Sequence, residues 1–239
     1  MGSLLAMKLV LGALVVATAL SGCSSGGNTN PIISAVWQKV KPGSRREAEA
    51  AAAEAAARPQ IVVTFDKIKD TGLAIIRARV GEDTRGVMLY GRAVNDDYVT
   101  YASQLQQTMT LQGSLITASR AIGFDMLSLR TDEGDPVTVL TPPDEWSGSV
   151  TRDYRFTGDT PGGRLISVTC RFSQGPAYEL ELLDKTFDTT VMKSRCAGDG
   201  QRFTNVHLVL EDGQIIQSAQ WLGPDQGMIE FDILEPYTP

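Results

Sequence analysis

The side chains best equipped for chemistry in this 239-residue chain are three cysteines, Cys23, Cys170 and Cys196, and a single histidine, His207. One histidine cannot furnish a multi-histidine metal set, and it leaves any Ser-His-Asp or Cys-His arrangement a single base. Cys170 and Cys196, 26 residues apart, lack the C-x-x-C spacing of a redox pair. Gly198-Asp199-Gly200 is not followed by the helix pattern that a phosphate-cradling glycine loop needs. No metal and no cofactor is expected. Carboxylates are more numerous: Asp96, Asp97, Asp132, Glu133 and Asp135 are the candidates for the two acids that glycoside hydrolysis sets about 5 to 10 Å apart. All five lie in turn-like stretches, where Asp is favoured for local backbone reasons, and no catalytic constellation emerges.

Two polar-aromatic groups have the chemistry of a glycan or partner site. Trp221, with Gln220 and Ser218, combines a ring face for the apolar side of a sugar with an amide and a hydroxyl for its hydroxyl groups. The competing reading is a core tryptophan at a sheet end, capped by the Gly223-Pro224 turn. Trp146 follows Pro142-Pro143 and Asp144-Glu145, with Arg152, Asp153 and Tyr154 close by. That places it on a loop, where binding residues are frequent, with a merely solvated loop as the alternative. His207 alternates with Val206 and Leu208, so it is expected on the opposite side of its strand, partly exposed.

The elements that must position these residues begin with the N-terminus. Lys8 precedes the apolar run Leu9–Leu20, which is too short for the roughly 20 residues of a membrane span and has the length of a signal-peptide core. Met7-Lys8 is a more natural start than Met1. Leu20-Ser21-Gly22-Cys23 resembles the bacterial lipobox. That resemblance implies that Cys23 carries a diacylglyceryl group and an amide-linked acyl chain as the first mature residue. One acyl chain alone anchors only marginally, so this combination should hold the protein to a membrane. Ser24 stands where aspartate marks inner-membrane retention in enterobacterial lipoproteins, which implies the outer membrane, facing the periplasm. In that oxidising compartment Cys170 and Cys196 are expected as a disulfide, with two free buried thiols as the alternative.

Ser24–Asn30 reads as a tether. Ile32, Ile33, Val36, Trp37 and Val40 share one face of a short helix over Pro31–Val40. Arg45–Arg58 is an alanine-rich spacer helix with a favourable Glu54-Arg58 pair, stopped by Pro59. From Gln60 onward the pattern is period two: Ile61-Val62-Val63, Leu73–Val80, Val87–Val94, then Tyr178, Leu180 and Leu182, then Val206, Leu208 and Leu210, then Ile229, Phe231 and Ile233. Turn signals punctuate it at Asn95-Asp96-Asp97, Asp132–Pro136, Pro161-Gly162-Gly163, Gly198-Asp199-Gly200 and Asp212-Gly213. The fold class is all-β, an antiparallel meander sheet curled into a sandwich or half-barrel. The organisation is a signal peptide over 1–22, a lipidated tether and helical spacer over 23–59, and an all-β domain over 60–239.

Composition agrees. Hydrophobic residues at 42% and charged residues at 21% are those of a globular protein. With 22 basic against 28 acidic residues and a formal charge of −6, nucleic acid is not an expected partner.

Phe203-Thr204-Asn205-Val206, followed by Gly213-Gln214-Ile215-Ile216-Gln217-Ser218-Ala219-Gln220-Trp221-Leu222-Gly223-Pro224, resembles the F-x-N and G-x-I-x-x-S-x-Q-W-x-G-P blocks of the YjbF/GfcB-type lipoprotein family. A second block, Gly113–Leu127, is similar to that family's strand leading into a glycine and a D-L pair, with methionine between them here. Arg45–Arg58 departs from the pattern as a lineage-specific insert. The resemblance implies a mostly antiparallel β fold and an outer-membrane accessory role in exopolysaccharide or capsule secretion and assembly. It transfers no catalytic residue. The implied partners are the membrane and either polysaccharide or other secretion-system proteins. The alternatives are a periplasmic glycan-processing enzyme, which needs two acids converging in a cleft, and a lipid or lipoprotein carrier, which needs an apolar cavity inside the half-barrel.

Overall fold

The computed structural model describes residues 63–80, 86–158 and 162–238. The signal segment, Cys23, the tether and both expected N-terminal helices lie outside the described residues, as do Ile61, Val62 and Pro161.

Twelve strands follow one another as an antiparallel meander: β1 (Ile75–Val80), β2 (Val87–Asn95), β3 (Tyr98–Ala102), β4 (Thr108–Gln112), β5 (Leu115–Arg120), β6 (Met126–Thr131), β7 (Ser149–Phe156), β8 (Arg164–Leu182), β9 (Lys185–Gly198), β10 (Gln201–Val209), β11 (Ile215–Gly223) and β12 (Gly227–Glu235). Each pairs with its chain neighbours, β5 and β6 excepted, and β12 returns to β1 from Ile75↔Glu235 to Val80↔Ile229. The single break in the ring is between β5 and β6. Side chains bridge it. Arg120 Nη1 donates to the carbonyls of Ser119 and Met126 at 2.6 and 2.8 Å, and Met126 N donates to Ser119 Oγ at 3.1 Å. The sheet is therefore a nearly closed barrel, which leaves only two edges and satisfies part of those with side chains.

Alternation sends successive residues to opposite faces, and here both faces are apolar in places. Ile76, Val209, Ile215 and Ile233 join the large inner core with Tyr154, Trp221 and Phe231. Their neighbours Ile75, Leu208, Ile216 and Leu234 form a second cluster on the outer face with Ile68, Leu180 and Leu182. Leu180 and Leu182 come from the tip of the long β8–β9 hairpin. Its register shifts between Gln174 and Ala177, where β8 carries one residue more than β9, at Gly175-Pro176. Such a bulge bends a strand, and it tolerates proline. A Cβ on Gly175 would sit 3.1 Å from the Val191 carbonyl oxygen.

A helix over Phe65–Lys69 completes the cover of the outer cluster. It corrects the expectation of unbroken period two from Gln60. Thr64 caps it, its hydroxyl accepting from Lys67 N at 3.3 Å. Phe65 meets the Phe187 ring edge-on at 5.4 Å, and Phe65 N donates to Asp184 Oδ1 at the hairpin tip. Ile68 is buried, a contribution of about 1.5 to 3 kcal/mol. One turn and a half is too short to impose a helical period on the sequence, so tertiary contact decides it.

Cys170 and Cys196 lie opposite each other on β8 and β9 and are joined by a disulfide within the inner core. The β6–β7 connection enters the interior with Val137, Pro143 and Trp146 buried. It comes so close to the β4–β5 and β10–β11 turns that a Cβ on Gly113 would collide with the Thr138 carbonyl, and one on Gly213 with Thr141 N. Both glycines also have positive φ, 56° and 89°.

Candidate functional site

The structure gathers the residues singled out as a sugar platform inside the barrel. Trp221 is 7% exposed. Phe203 stacks on its ring at 4.3 Å, and Tyr154 and Phe156 meet it edge-on at 5.1 and 5.7 Å. A sugar ring on Trp221 would need faces these side chains occupy. Gln220 Nε2 donates to Ser114 O at 2.6 Å and to Ser218 Oγ at 2.9 Å, while its Oε1 accepts from Ile116 N at 3.0 Å. Thus Gln220 ties β11 to the start of β5 across the interior.

Ser218 Oγ accepts from Gln220 Nε2 and shares a hydrogen bond of 2.7 Å with His207 Nδ1, in which the tautomer of the ring sets the donor. His207 Nε2 has no hydrogen-bond partner. His207 is fully buried, not partly exposed as the strand pattern suggested. Burial, and then the Arg152 charge, push its pKa down to about 3 against the opposing pull of Asp135, so it is neutral. Val206 and Leu208 do face away from it, but they mark the outer apolar face, which alternation alone cannot tell from the inner one.

The second predicted group also lies inside. Trp146 is buried, donates from Nε1 to Thr141 O at 2.8 Å, and packs against Phe172 and His207 at 5.6 and 5.5 Å. Its loop turns through Pro143–Glu145. Arg152 and Tyr154 are fully and almost fully buried, and Arg152 forms a bidentate pair with Asp135. Burial alone would raise the Asp135 carboxyl. The Arg152 charge and the hydrogen bonds from Arg152, Thr131 Oγ1 and Val137 N hold it below the usual range. Asp135 is therefore a core anion rather than the turn residue its surroundings suggested.

The other carboxylates serve local backbone and surface roles. Asp97 accepts from Gln112 Nε2, Asp132 accepts from Thr151 N, and Asp96 occupies a turn at φ 54°. Glu133 is exposed. Among the described residues no group of three or more His, Cys, Asp or Glu side chains is placed to hold a metal.

What the structure offers to solvent lies on the outside of the sheet. A groove of about 270 Å³ runs over β10–β12 beside the β8–β9 hairpin, lined by Tyr178, Val191, Val206, Leu208, Gln217 and Glu230. Its floor is apolar. Its margin carries an aromatic ring, an amide and a carboxylate, and Tyr178 is 51% exposed. Beside it, Asp232 collects Arg77 Nε at 2.7 Å, Arg79 Nη2 at 2.7 Å and Gln217 Nε2 at 2.8 Å. Arg79 also reaches Glu230. Asp232 is buried, which would raise its pKa. The hydrogen bonds from Arg79 and Gln217, and the charges of Arg79 and Arg77, keep it low, and Asp232 in turn raises Arg79. This network holds Gln217 and Glu230 in place at the groove. Sequence reading passed over it. Arg77 and Arg79 on one strand and Glu230 and Asp232 on another are each spaced by two, but only the β1–β12 register makes them partners.

Comparison with known proteins agrees with this architecture. The crystal structure of the hypothetical lipoprotein YmcC from Escherichia coli K12 is similar at a TM-score of 0.64 and 17% identity, covering 83% of this chain and 100% of that one. At that identity the likeness shows the fold. No curated protein matches the chain. The family model described as group 4 capsule polysaccharide lipoprotein GfcB, YjbF matches residues 35–234. That span takes in the meander from β1 almost to the end of β12, with both the inner core and the outer groove, and the chain belongs to the YjbF family of group 4 capsule polysaccharide lipoproteins.

Proposed function

We propose that this lipoprotein is a non-catalytic accessory in exopolysaccharide or capsule secretion and assembly. It is held at the periplasmic face of the outer membrane by lipidated Cys23, with residues 23–59 as tether and spacer, and binds glycan on its outer face. The family supports the pathway. The observation that carries the binding role is the groove margin of Tyr178, Gln217 and Glu230 over an apolar floor. An aromatic ring beside an amide and a carboxylate suits a sugar's apolar face and hydroxyl rim.

The barrel interior is filled by Trp146, Tyr154, Phe156, Trp221 and Phe231, which favours binding outside over the lipid-carrier alternative. For the glycan-processing alternative, the groove is lined by one acid, Glu230, and the acid beside it, Asp232, is saturated by two arginines and Gln217 and is poorly placed to exchange a proton. The reading is tested by affinity electrophoresis of the protein in gels containing the exopolysaccharide of its own host. Retardation of the wild type and its loss in Tyr178→Ala and Gln217→Ala are expected. Equal mobility with and without polysaccharide overturns the reading.

A further inference from the structure

Three arginines meet on the outer face of β8–β10. Arg171 lies directly opposite Arg195, which lies opposite Thr204, and on the next rung Thr169 lies opposite Ala197, which lies opposite Arg202. All three arginines are exposed. Lys193 follows one rung further along β9, opposite Val206. The chain as a whole is acidic, with a formal charge of −6. Like charges directly opposite on an antiparallel pair are destabilising, so stability does not account for this cluster.

The arginines that pair with acids lie elsewhere. Arg77, Arg79 and Arg152 are each bound by a carboxylate. Among the described residues, Arg171 and Arg202 have no ion pair, and Arg195 donates only to Ser173 Oγ at 3.1 Å. The flanking acids are Asp153, opposite Ser167 on β8, and Asp199, whose Oδ2 accepts from Ser167 N. The arginines rim a depression of about 650 Å³ lined also by Thr169, Ala197 and Thr204 and by Phe172, Cys196 and Phe203, whose side chains alternate to the inner core. Two hydroxyls therefore sit among three guanidinium forks.

We propose that this face binds an anionic glycan, its carboxylate or other acidic groups taken by Arg171, Arg195 and Arg202 and its hydroxyl groups by Thr169 and Thr204. This rests on the glycan-binding reading above and names the class of glycan. A guanidinium pairs bidentately with planar oxyanions, which a lysine ammonium cannot do. A glycan suits the face better than an anionic membrane. A membrane-seeking surface carries large apolar side chains to insert, whereas the side chains between these arginines are Thr and Ala. From Arg202 and Thr204 at this depression, the same face of β10 continues to Val206 and Leu208, which line the groove beside the hairpin. That is a run of about 20 Å in extended chain, suited to a linear polymer.

The test uses the full-length protein in neutral detergent, with alginate, carboxyl-reduced alginate and phosphatidylglycerol vesicles as probes. Wild type should bind alginate, with affinity falling as salt rises, and should bind the carboxyl-reduced polymer at least about tenfold more weakly. The triple variant Arg171→Ala/Arg195→Ala/Arg202→Ala should lose at least about tenfold in alginate affinity, while Arg130→Ala, an exposed arginine on β6, should not. The Arg171→Ala/Arg195→Ala pair should melt no lower than wild type, which separates lost binding from lost folding. Equal binding to alginate and its reduced form, or full affinity in the triple variant, overturns the proposal. Vesicle binding without alginate binding overturns it in favour of a membrane-facing surface. Retardation by the host polysaccharide without alginate binding leaves the glycan-binding reading standing and removes this one.

Discussion

The Arg152 guanidinium and the Asp135 carboxylate meet fully buried and in parallel, Nε to Oδ2 at 2.8 Å and Nη2 to Oδ1 at 2.9 Å. Asp135 belongs to the β6–β7 connection and Arg152 to β7, so the pair fastens that connection to the barrel interior. The same carboxylate accepts from Thr131 and Val137, and the Asp135 carbonyl accepts from Thr138 N and Oγ1. A buried ion pair is expensive to break and less costly to replace whole. Asp135→Asn should therefore destabilise by about 3 to 5 kcal/mol, because it strands a charged guanidinium in the core. Arg152→Met/Asp135→Leu should be markedly less damaging. Urea unfolding midpoints decide this, and a double variant no more stable than Asp135→Asn would contradict it.

His207 makes stability depend on pH. An unfolded imidazole titrates near 6.5, whereas in the fold burial and the Arg152 charge hold it at about 3. Below pH 6.5 the unfolded chain takes a proton that the native protein refuses. Stability is fully present above that pH and declines toward pH 3 by about 1.4 kcal/mol per unit, or about 2 kcal/mol by pH 5. The depressed carboxyls of Asp135 and Asp232 lose their contributions only at lower pH. His207 is the single histidine of the chain, so the interval from pH 6.5 to 5 is its own. His207→Gln should flatten the unfolding free energy across it. A slope unchanged from wild type would refute the assignment.

The disulfide closes a loop of 26 residues through the β8–β9 hairpin. In the chain-entropy model that stabilises by about 3.5 kcal/mol. Cys170→Ala/Cys196→Ala should lower the unfolding free energy by that order, and a reductant should act on the wild type and not on the double variant. Insensitivity of the wild type to reduction under denaturing conditions would count against the bond.

Cys23→Ala should move the protein from the membrane fraction to the soluble periplasmic fraction, as fractionation and blotting would show. Retention in the membrane fraction would mean that something other than acyl chains holds it.

Much of the fold was legible locally. The turns at Asn95-Asp96-Asp97, Gly198-Asp199-Gly200 and Asp212-Gly213 join β2 to β3, β9 to β10 and β10 to β11 as their residue types suggest. The period-two runs around Val87, Leu208 and Ile229 are strands because alternation needs only neighbouring residues to be seen. The pairing of Cys170 with Cys196 agrees with the expectation that Cys23 is reserved for the anchor.

Which side of each strand faces inward was not legible. Along β1, β10, β11 and β12 both faces carry apolar residues, one for the core and one for the hairpin and the Phe65–Lys69 helix. Alternation divides those residues into two sets without saying which set is inside. Alternation therefore left Trp221 with both a glycan-binding and a core reading, and Trp146, Tyr154 and Arg152 with a binding and a solvated-loop reading; all four, with Gln220 and Ser218, belong to the polar and aromatic filling of the barrel. The solvent-facing chemistry is built by register. Arg171, Arg195 and Arg202 are far apart in the chain and adjacent across three strands. Sequence by itself determined the strands and the turns, which depend on near neighbours. The tertiary structure decided inside from outside and which charges meet, because strand register and closure of the sheet bring together residues that no local pattern connects.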